Sequence, residues 1–314
     1  VMDAAGATDT ETISITVVNT NDAPDITSTG ATSVLEDALY SYSITTSDDD
    51  SDSSDTFTIT CDCSSSASWL SMTHTAGSST ATLSGTPTDA NVGTYSVVVT
   101  VMDAAGATDT ETISITVVNT DDAPTGTVTI TGTATEDQVL TASNDIADDD
   151  GVGTITYTWS NGDVGTTTTL GQSDVGNAIT VTASYNDVLG NNAESITSTA
   201  TNAVTNINDV GVVTVNPQGA ILEDSELTAT VDDEDGTTTS TITYQWSESS
   251  NGVTFTPITG ATTDKFTPLQ VHVGQYLELY LTYVDDFGQS ESFTTHFTGP
   301  VVNANDLPTG SVTI

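Results

Sequence analysis

Residues 101–120 read VMDAAGATDTETISITVVNT, and their reading decides the fold. Within them Thr112-Ile113-Ser114-Ile115-Thr116-Val117-Val118 alternates polar and apolar with period two, as a half-buried β-strand does. Asp103-x-x-Gly106 ahead of it reads as a tight turn. The same twenty residues stand unchanged at 1–20, which sets a period of 100 and makes the chain an array of related modules. Working outward, Thr56–Thr60 and Thr94–Val99 alternate in the same way. Thr and Val are rich, turn signals recur about every ten residues, and no helical period persists for three turns. The expected fold class is all-β: a tandem array of immunoglobulin/cadherin-like β-sandwich modules on short acidic linkers.

Composition narrows the function. Of 314 residues, 44 are acidic and Lys265 is the one basic residue, for a formal charge of -43. Such a chain has nothing to neutralise phosphates with, so nucleic acid is excluded as a partner. Anionic lipid surfaces would repel it, and no apolar run is long enough to span a bilayer, so no membrane insertion is expected in this segment. Apolar residues at 35%, interleaved in strand-like runs, separate it from disordered acidic chains. The sequence begins in mid-module and ends in mid-strand, and so reads as an excerpt. One lysine rules out a Lys–Asn isopeptide staple in every module, and Cys61 and Cys63 are too close in sequence to join distant strands. Divalent metal is the stabiliser this composition offers.

A four-residue joint recurs: Asn19-Thr20-Asn21-Asp22, Asn119-Thr120-Asp121-Asp122, Asn206-Ile207-Asn208-Asp209 and Asn303-Ala304-Asn305-Asp306. A Glu-Asp pair follows each of the first three, its Glu 17 residues after the first Asn: Glu36, Glu136 and Glu223. Next comes an acidic cluster: Asp48-Asp49-Asp50, Asp148-Asp149-Asp150, then Asp232-Asp233-Glu234-Asp235. Late in each module comes Asp-x-x-Gly, at Asp103, Asp187 and Asp285, with Asp3 its counterpart in the leading stretch. These marks divide the chain into the end of a preceding module (1–23), modules 24–123, 124–209 and 210–306, and the first strand of a next module (307–314). Trp159 and Trp246, each in a Tyr-x-Trp strand, fall where a sandwich keeps its core tryptophan.

Module 24–123, with Ser68-Trp69-Leu70-Ser71, Leu83-Ser84-Gly85-Thr86-Pro87 and Val92-Gly93-Thr94-Tyr95, resembles a dystroglycan-type cadherin-like repeat. Modules 124–209 and 210–306, with Ala134-Thr135-Glu136-Asp137, Tyr-x-Trp and Ser184-Tyr185-Asn186-Asp187, resemble the immunoglobulin-like repeats of giant bacterial surface adhesins, including the RTX type. The resemblance implies an extracellular bacterial stalk that projects an adhesive tip in attachment or biofilm, with calcium stiffening the string.

Sandwich topology brings the acidic elements together at the joints. The first strand carries each Glu to the next joint, while the acidic cluster and Asp-x-x-Gly lie at the joint end of the following module. One junction should gather Glu36, Asn119, Asp121, Asp122, Asp148, Asp150 and Asp187, with Asp89 as a further candidate. The next should gather Glu136, Asn206, Asn208, Asp209, Asp233, Asp235 and Asp285, with Asp174 as its candidate. The first joint offers Asn19, Asn21, Asp22, Asp48, Asp50 and Asp103; the last offers Glu223, Asn303, Asn305 and Asp306. Calcium takes roughly six to eight oxygens from carboxylate, amide and carbonyl, and these sets supply that number. His272 stands where the second module has Asp174, so the last joint should bind differently. Solvated turn residues are the plainer reading of any single one of these acids.

An enzyme is not expected. The three histidines have no ligand spacing, no nucleophile–base pair or phosphate loop is present, and the carboxylates recur at joints and not in one cleft. Cys61-Asp62-Cys63 on a strand would hold its side chains on one face at the edge of disulfide reach, roughly 6.5–7 Å apart at Cα. Partners are then the neighbouring modules of the same chain, with self-association open. The alternatives are a repeat unit of a self-assembling extracellular filament or sheath, and a module that binds a glycan or a protein.

Overall fold

The computed structural model describes residues 1–50 and 56–305. Asp306 and the expected strand 307–314 lie outside the described residues. The chain divides into two compact units. One comprises Val1–Gly126, Ile146–Ile155 and Ser184–Ser195; the other comprises Thr127–Asp145, Thr156–Ala183 and Ile196–Ile314.

In the first unit two four-stranded sheets pack face to face. One sheet orders Asp25–Ile26, Tyr40–Ser47, Thr80–Gly85 and Ser71–His74, all antiparallel. The other orders Ser33–Leu35, Thr108–Val118, Gly93–Met102 and Thr58–Cys61. Here Ser33–Leu35, the second strand, runs parallel to Thr116–Val118 of the last. Period-two patterning is the cause: along Tyr40–Ser47 buried Tyr40, Tyr42 and Ile44 alternate with exposed residues. They meet Leu83 from their own sheet and Val97, Val99, Val101, Ile113 and Ile115 from the other, and one apolar core results.

In the second unit one sheet orders Thr167–Thr169, Val139–Asn144 and Val128–Thr131. Another orders Val212–Asn216, Leu227–Asp232 and Lys265–Phe266, and a four-stranded sheet orders Thr256–Pro257, Thr243–Ser249, Tyr276–Val284 and Ser290–His296. Trp246 is fully buried, stacks on Phe266 and Phe297 with ring centroids 5.4 and 6.1 Å apart, and donates its Nε1–H to Thr263 O at 3.0 Å. Trp159 is likewise buried and donates to Gly165 O at 2.9 Å. A buried indole needs such an acceptor. Trp69 is different: the side chain is half-buried, edge-on to Tyr40 and Tyr95, and its buried Nε1 has no acceptor.

Among the described residues, α-helix is confined to Cys63–Ser66. That short helix changes the geometry expected of the cysteines. Cys61 ends a strand, Cys63 starts the helix, and the Cα atoms close to 5.3 Å in a Cys61–Cys63 disulfide. Three 3-10 turns, Asp89–Asn91, Gln172–Asp174 and Gln270–His272, each precede Val-Gly. Each is closed by its third side chain. Asn91 Oδ1 accepts from Thr88 N at 3.0 Å, Asp174 Oδ2 from Gly171 N at 3.1 Å, and His272 Nδ1 from Leu269 N at 2.8 Å.

Candidate metal centre at the joints

The joints are positioned by a hydrogen-bond frame that repeats along the chain. Upstream, each Glu carboxylate accepts the N–H of the joint's second residue: Glu36 from Thr120, Glu136 from Ile207 at 3.1 Å, Glu223 from Ala304 at 2.8 Å. The residue after each Glu sits in the left-handed region, with φ of 54° at Asp37, 59° at Asp137 and 60° at Asp224. Asp tolerates that conformation better than most residues. Each of these aspartates donates its N–H to a carbonyl across the module, Pro87, Leu170 and Pro268 respectively, and so locks the bend that delivers the Glu.

Downstream, the last acid of each cluster accepts the N–H of the joint's Asp: Asp50 from Asp22, Asp150 from Asp122 at 2.9 Å, Asp235 from Asp209 at 2.8 Å. The cluster is itself a turn. Asp48, Asp148 and Asp233 accept through Oδ1 from the N–H two residues on, at 2.9, 3.0 and 2.9 Å. The Asp-x-x-Gly turns close likewise, with Asp103 Oδ1 accepting from Gly106 N and Ala107 N at 2.6 and 2.9 Å, Asp187 Oδ1 from Asn192 N at 3.1 Å, and Asp285 Oδ1 from Gln289 N at 2.8 Å.

Once the frame is made, oxygens remain over, and they converge. In the first unit Glu36, Asp89, Asp122 and Asp150 bring carboxylate oxygens within 4.8 Å of one another, as do Asp121, Asp150 and Asp187. Asp150 belongs to both groups. Glu36, Asp150 and Asp187 are 3%, 1% and 4% exposed. Glu36 Oε2, Asp89 Oδ1, Asn119 Oδ1, Asp150 Oδ1 and Asp187 Oδ2 are buried without a hydrogen-bond partner. Burial pushes the Glu36 carboxyl above its ordinary range, and Asp89 and Asp150 add to it. Loss of solvent also raises Asp122, helped by Asp89 and Asp150. In the second unit Glu136, Asp209 and Asp235 form one such group. Burial, then Asp209 and Asp235, raise Glu136. Asn208 Oδ1 and Asp285 Oδ2 are buried there without partners.

This donor set fits calcium. Buried acceptors crowded together are costly unless a cation joins them. Two oxygens on opposite sides of one calcium ion stand roughly 4.6–5.2 Å apart, twice the ordinary bond length, so oxygens within 4.8 Å of one another can share one ion.

Other expected residues have different surroundings. Asp148 and Asp233 each hold a turn N–H on one oxygen and a tyrosine hydroxyl, Tyr185 or Tyr283, on the other. Burial first, then those carboxylates, push both phenols up. At the first joint Asn19 Nδ2 donates to Asp50, Asn21 Nδ2 to Asp103 Oδ2 at 2.9 Å, and Asp48 Oδ2 is buried without a partner. Asn206 Nδ2 donates to Ile207 O at 3.2 Å and Asn303 Nδ2 to Ala304 O at 2.5 Å, so these amides brace the joint itself. Asn305 is exposed. Asp174 is absent from the Glu136 group; its Oδ2 closes the 3-10 turn.

Sequence reading named Asp89 but missed its counterparts, the first residues of the other two turns. Aligned on Val-Gly, the equivalents are Asp89, Gln172 and Gln270, and the equivalents of Asp174 are Asn91 and His272. The Val-Gly anchor was the available signal. Gln270 Nε2 donates to Asn303 Oδ1 at 3.1 Å. The Gln172 amide donates to Asn206 Oδ1 at 3.3 Å; turned over, its nitrogen lies 3.1 Å from Glu136 Oε2 and 2.5 Å from Oε1.

A sequence profile of the family described as "Putative Ig domain" matches residues 23–118, the stretch that builds the two four-stranded sheets. No curated protein matches the sequence. Among solved structures, extracellular cadherin domains 1–5 of protocadherin gamma B2 match at 14% identity and a TM-score of 0.36, over 93% of this chain. The chain spans 62% of that fragment's length. Mouse cadherin-23 EC22–24 matches at 15% identity and a TM-score of 0.36, over 91% of this chain and all of that one. The SrpA adhesin of Streptococcus sanguinis matches at 14% identity and a TM-score of 0.28, over 43% of this chain and 95% of that one. The fold itself stands on the strand pairing described above.

Proposed function

We propose that the chain is a non-catalytic extender of an extracellular bacterial surface protein, built of modules 24–123, 124–209 and 210–306, with calcium fixing consecutive modules at their joints. One observation carries the reading: buried, partnerless carboxylate oxygens converge where the repeated frame anchors both sides of a joint. Without cation, Glu36 and Asp150 face each other as like charges at a cost of roughly 3–4 kcal/mol, taking an effective dielectric near 20. Calcium turns that repulsion into bridging. Glu36, Asp89, Asp122, Asp150, Asp121 and Asp187 would hold it at one joint, and Glu136, Asp209 and Asp235 at the next. A charge of -43 suits a cation-loaded extracellular setting and supports the same reading.

Small-angle scattering with calcium and with chelator tests this. Calcium should raise the maximum dimension and narrow the distance distribution. Identical curves in the two conditions would defeat the stiffening role.

A further inference from the structure

The carboxylate groups around Glu36 and Glu136 differ at one position, and the difference concerns what happens without metal. In the 119–122 joint the first residue of the 3-10 turn is Asp89, which adds a fourth carboxylate to Glu36, Asp122 and Asp150. In the 206–209 joint that position is Gln172. An amide nitrogen carries donors where a carboxylate carries acceptors. Turned over, the Gln172 amide presents them to both oxygens of Glu136, at 3.1 and 2.5 Å. Glu136 can therefore be satisfied from within the protein, whereas Glu36 Oε2 and Asp89 Oδ1 are left without partners. The 119–122 joint also has a second group, Asp121, Asp150 and Asp187, sharing Asp150 with the first. The 206–209 joint shows one group among the described residues.

We infer that the joints differ in calcium demand. The 119–122 joint is a high-affinity, multi-ion site, and the 206–209 joint is a weaker one in which the Gln172 amide stands in for the cation at Glu136. This rests on the calcium reading above and gives it an order. As free calcium falls, the 206–209 joint empties first, and its internal hydrogen bonds spare Glu136 the exposure that Glu36 would suffer. The partner is a hard divalent cation. Ligand charge count sets affinity at such sites over several decades, so one carboxylate in place of one amide should matter about tenfold or more.

Calorimetric titration of the full chain with calcium chloride, after chelator treatment and at fixed salt, tests the order. The wild-type chain should show at least two classes of site. Asp89→Gln should weaken the tighter class about tenfold or more and leave the weaker class in place. Gln172→Asp should strengthen the weaker class by a similar factor. Circular dichroism checks that each variant keeps its strands. Should Asp89→Gln unfold the chain, Asp89→Asn, which keeps the shorter side chain, replaces it. A single class of equal sites that neither substitution moves would overturn the inference while leaving calcium binding intact. No calcium heat at all would overturn the calcium reading beneath it.

Discussion

Residues 1–20 and 101–120 are the same twenty amino acids in two different structural states. At 101–120 the segment is a strand, Thr108–Val118, with Ile113, Ile115 and Val117 at 4%, 0% and 1% exposed. At 1–20 the equivalents of its partner strands are not among the described residues, the stretch 11–18 is unpaired, and Ile13, Ile15 and Val17 are 75%, 83% and 88% exposed. The turn survives in both. Asp3 N donates to Ala7 O at 2.8 Å, and Asp103 N to Ala107 O at 3.1 Å. The Asp-x-x-Gly turn is therefore encoded locally, by a side chain that bonds backbone within four residues. The strand is not. It needs Gly93–Met102 on one side and Ser33–Leu35 on the other. Alternation makes a segment fit for a sheet, and the partner strands make it a strand.

The sharpest way to break that comparison is one substitution made twice. Ile115→Ala removes a fully buried side chain and should cost about 2–5 kcal/mol in urea unfolding. Ile15→Ala, at the same position of the other copy, should change stability by less than about 0.5 kcal/mol. Equal losses would mean that residues 1–20 are packed.

A smaller effect sharpens the same contrast at the turn. Asp103→Ala deletes acceptors for Gly106, Ala107 and Asn21, and should lower the melting temperature by on the order of 5 °C. Asp3→Ala deletes two exposed backbone bonds of its own turn and should leave the main transition unmoved. A shift of equal size from both would show that the turn contributes only through local bonding.

The smallest effect concerns a side chain that joins local to distant structure. Asp62 accepts from Ser66 Oγ at 2.7 Å, four residues on, and from Val98 N at 2.8 Å on another strand. Ser66 foremost, then Val98, holds its carboxyl below the ordinary range. A lowered carboxyl stabilises the fold above its unfolded pKa, near 4, and that contribution fades as pH falls through the folded value. Asp62→Ala should cost on the order of 1 kcal/mol at neutral pH, and the difference from wild type should shrink on acidification. A difference that stays constant to pH 2, followed by chemical denaturation, would remove the charge from the account.

Sheets and joints were legible because they rest on periodicity and on repetition at fixed spacing. The offset of 17 residues from Asn119 to Glu136 carries over to Asn19 with Glu36 and Asn206 with Glu223, and the same Glu-to-joint bond is found at all three Glu residues. The roles of Gln172 and Asp174 were not legible. Proximity of carboxylates in sequence does not say which face of a 3-10 turn each will take, and Asp174 faces its own turn. Cys63 escaped for a similar reason: a four-residue helix in a β-rich chain leaves no periodic trace.

The parallel pairing of an early segment with the last strand has a mechanical consequence. Ser33–Leu35 lies beside Thr116–Val118, with bridges of the same sense at Thr135–Thr205 and Leu222–Val302. Tension drawn along the backbone, once past the short antiparallel first strand, reaches one member of such a pair and leaves through the other. The bonds between them are then loaded side by side, in shear, and must rupture together before the sandwich can open. Antiparallel ends would peel one bond at a time. A chain threaded this way resists stretching through the direction of its strands alone, before any ion is counted.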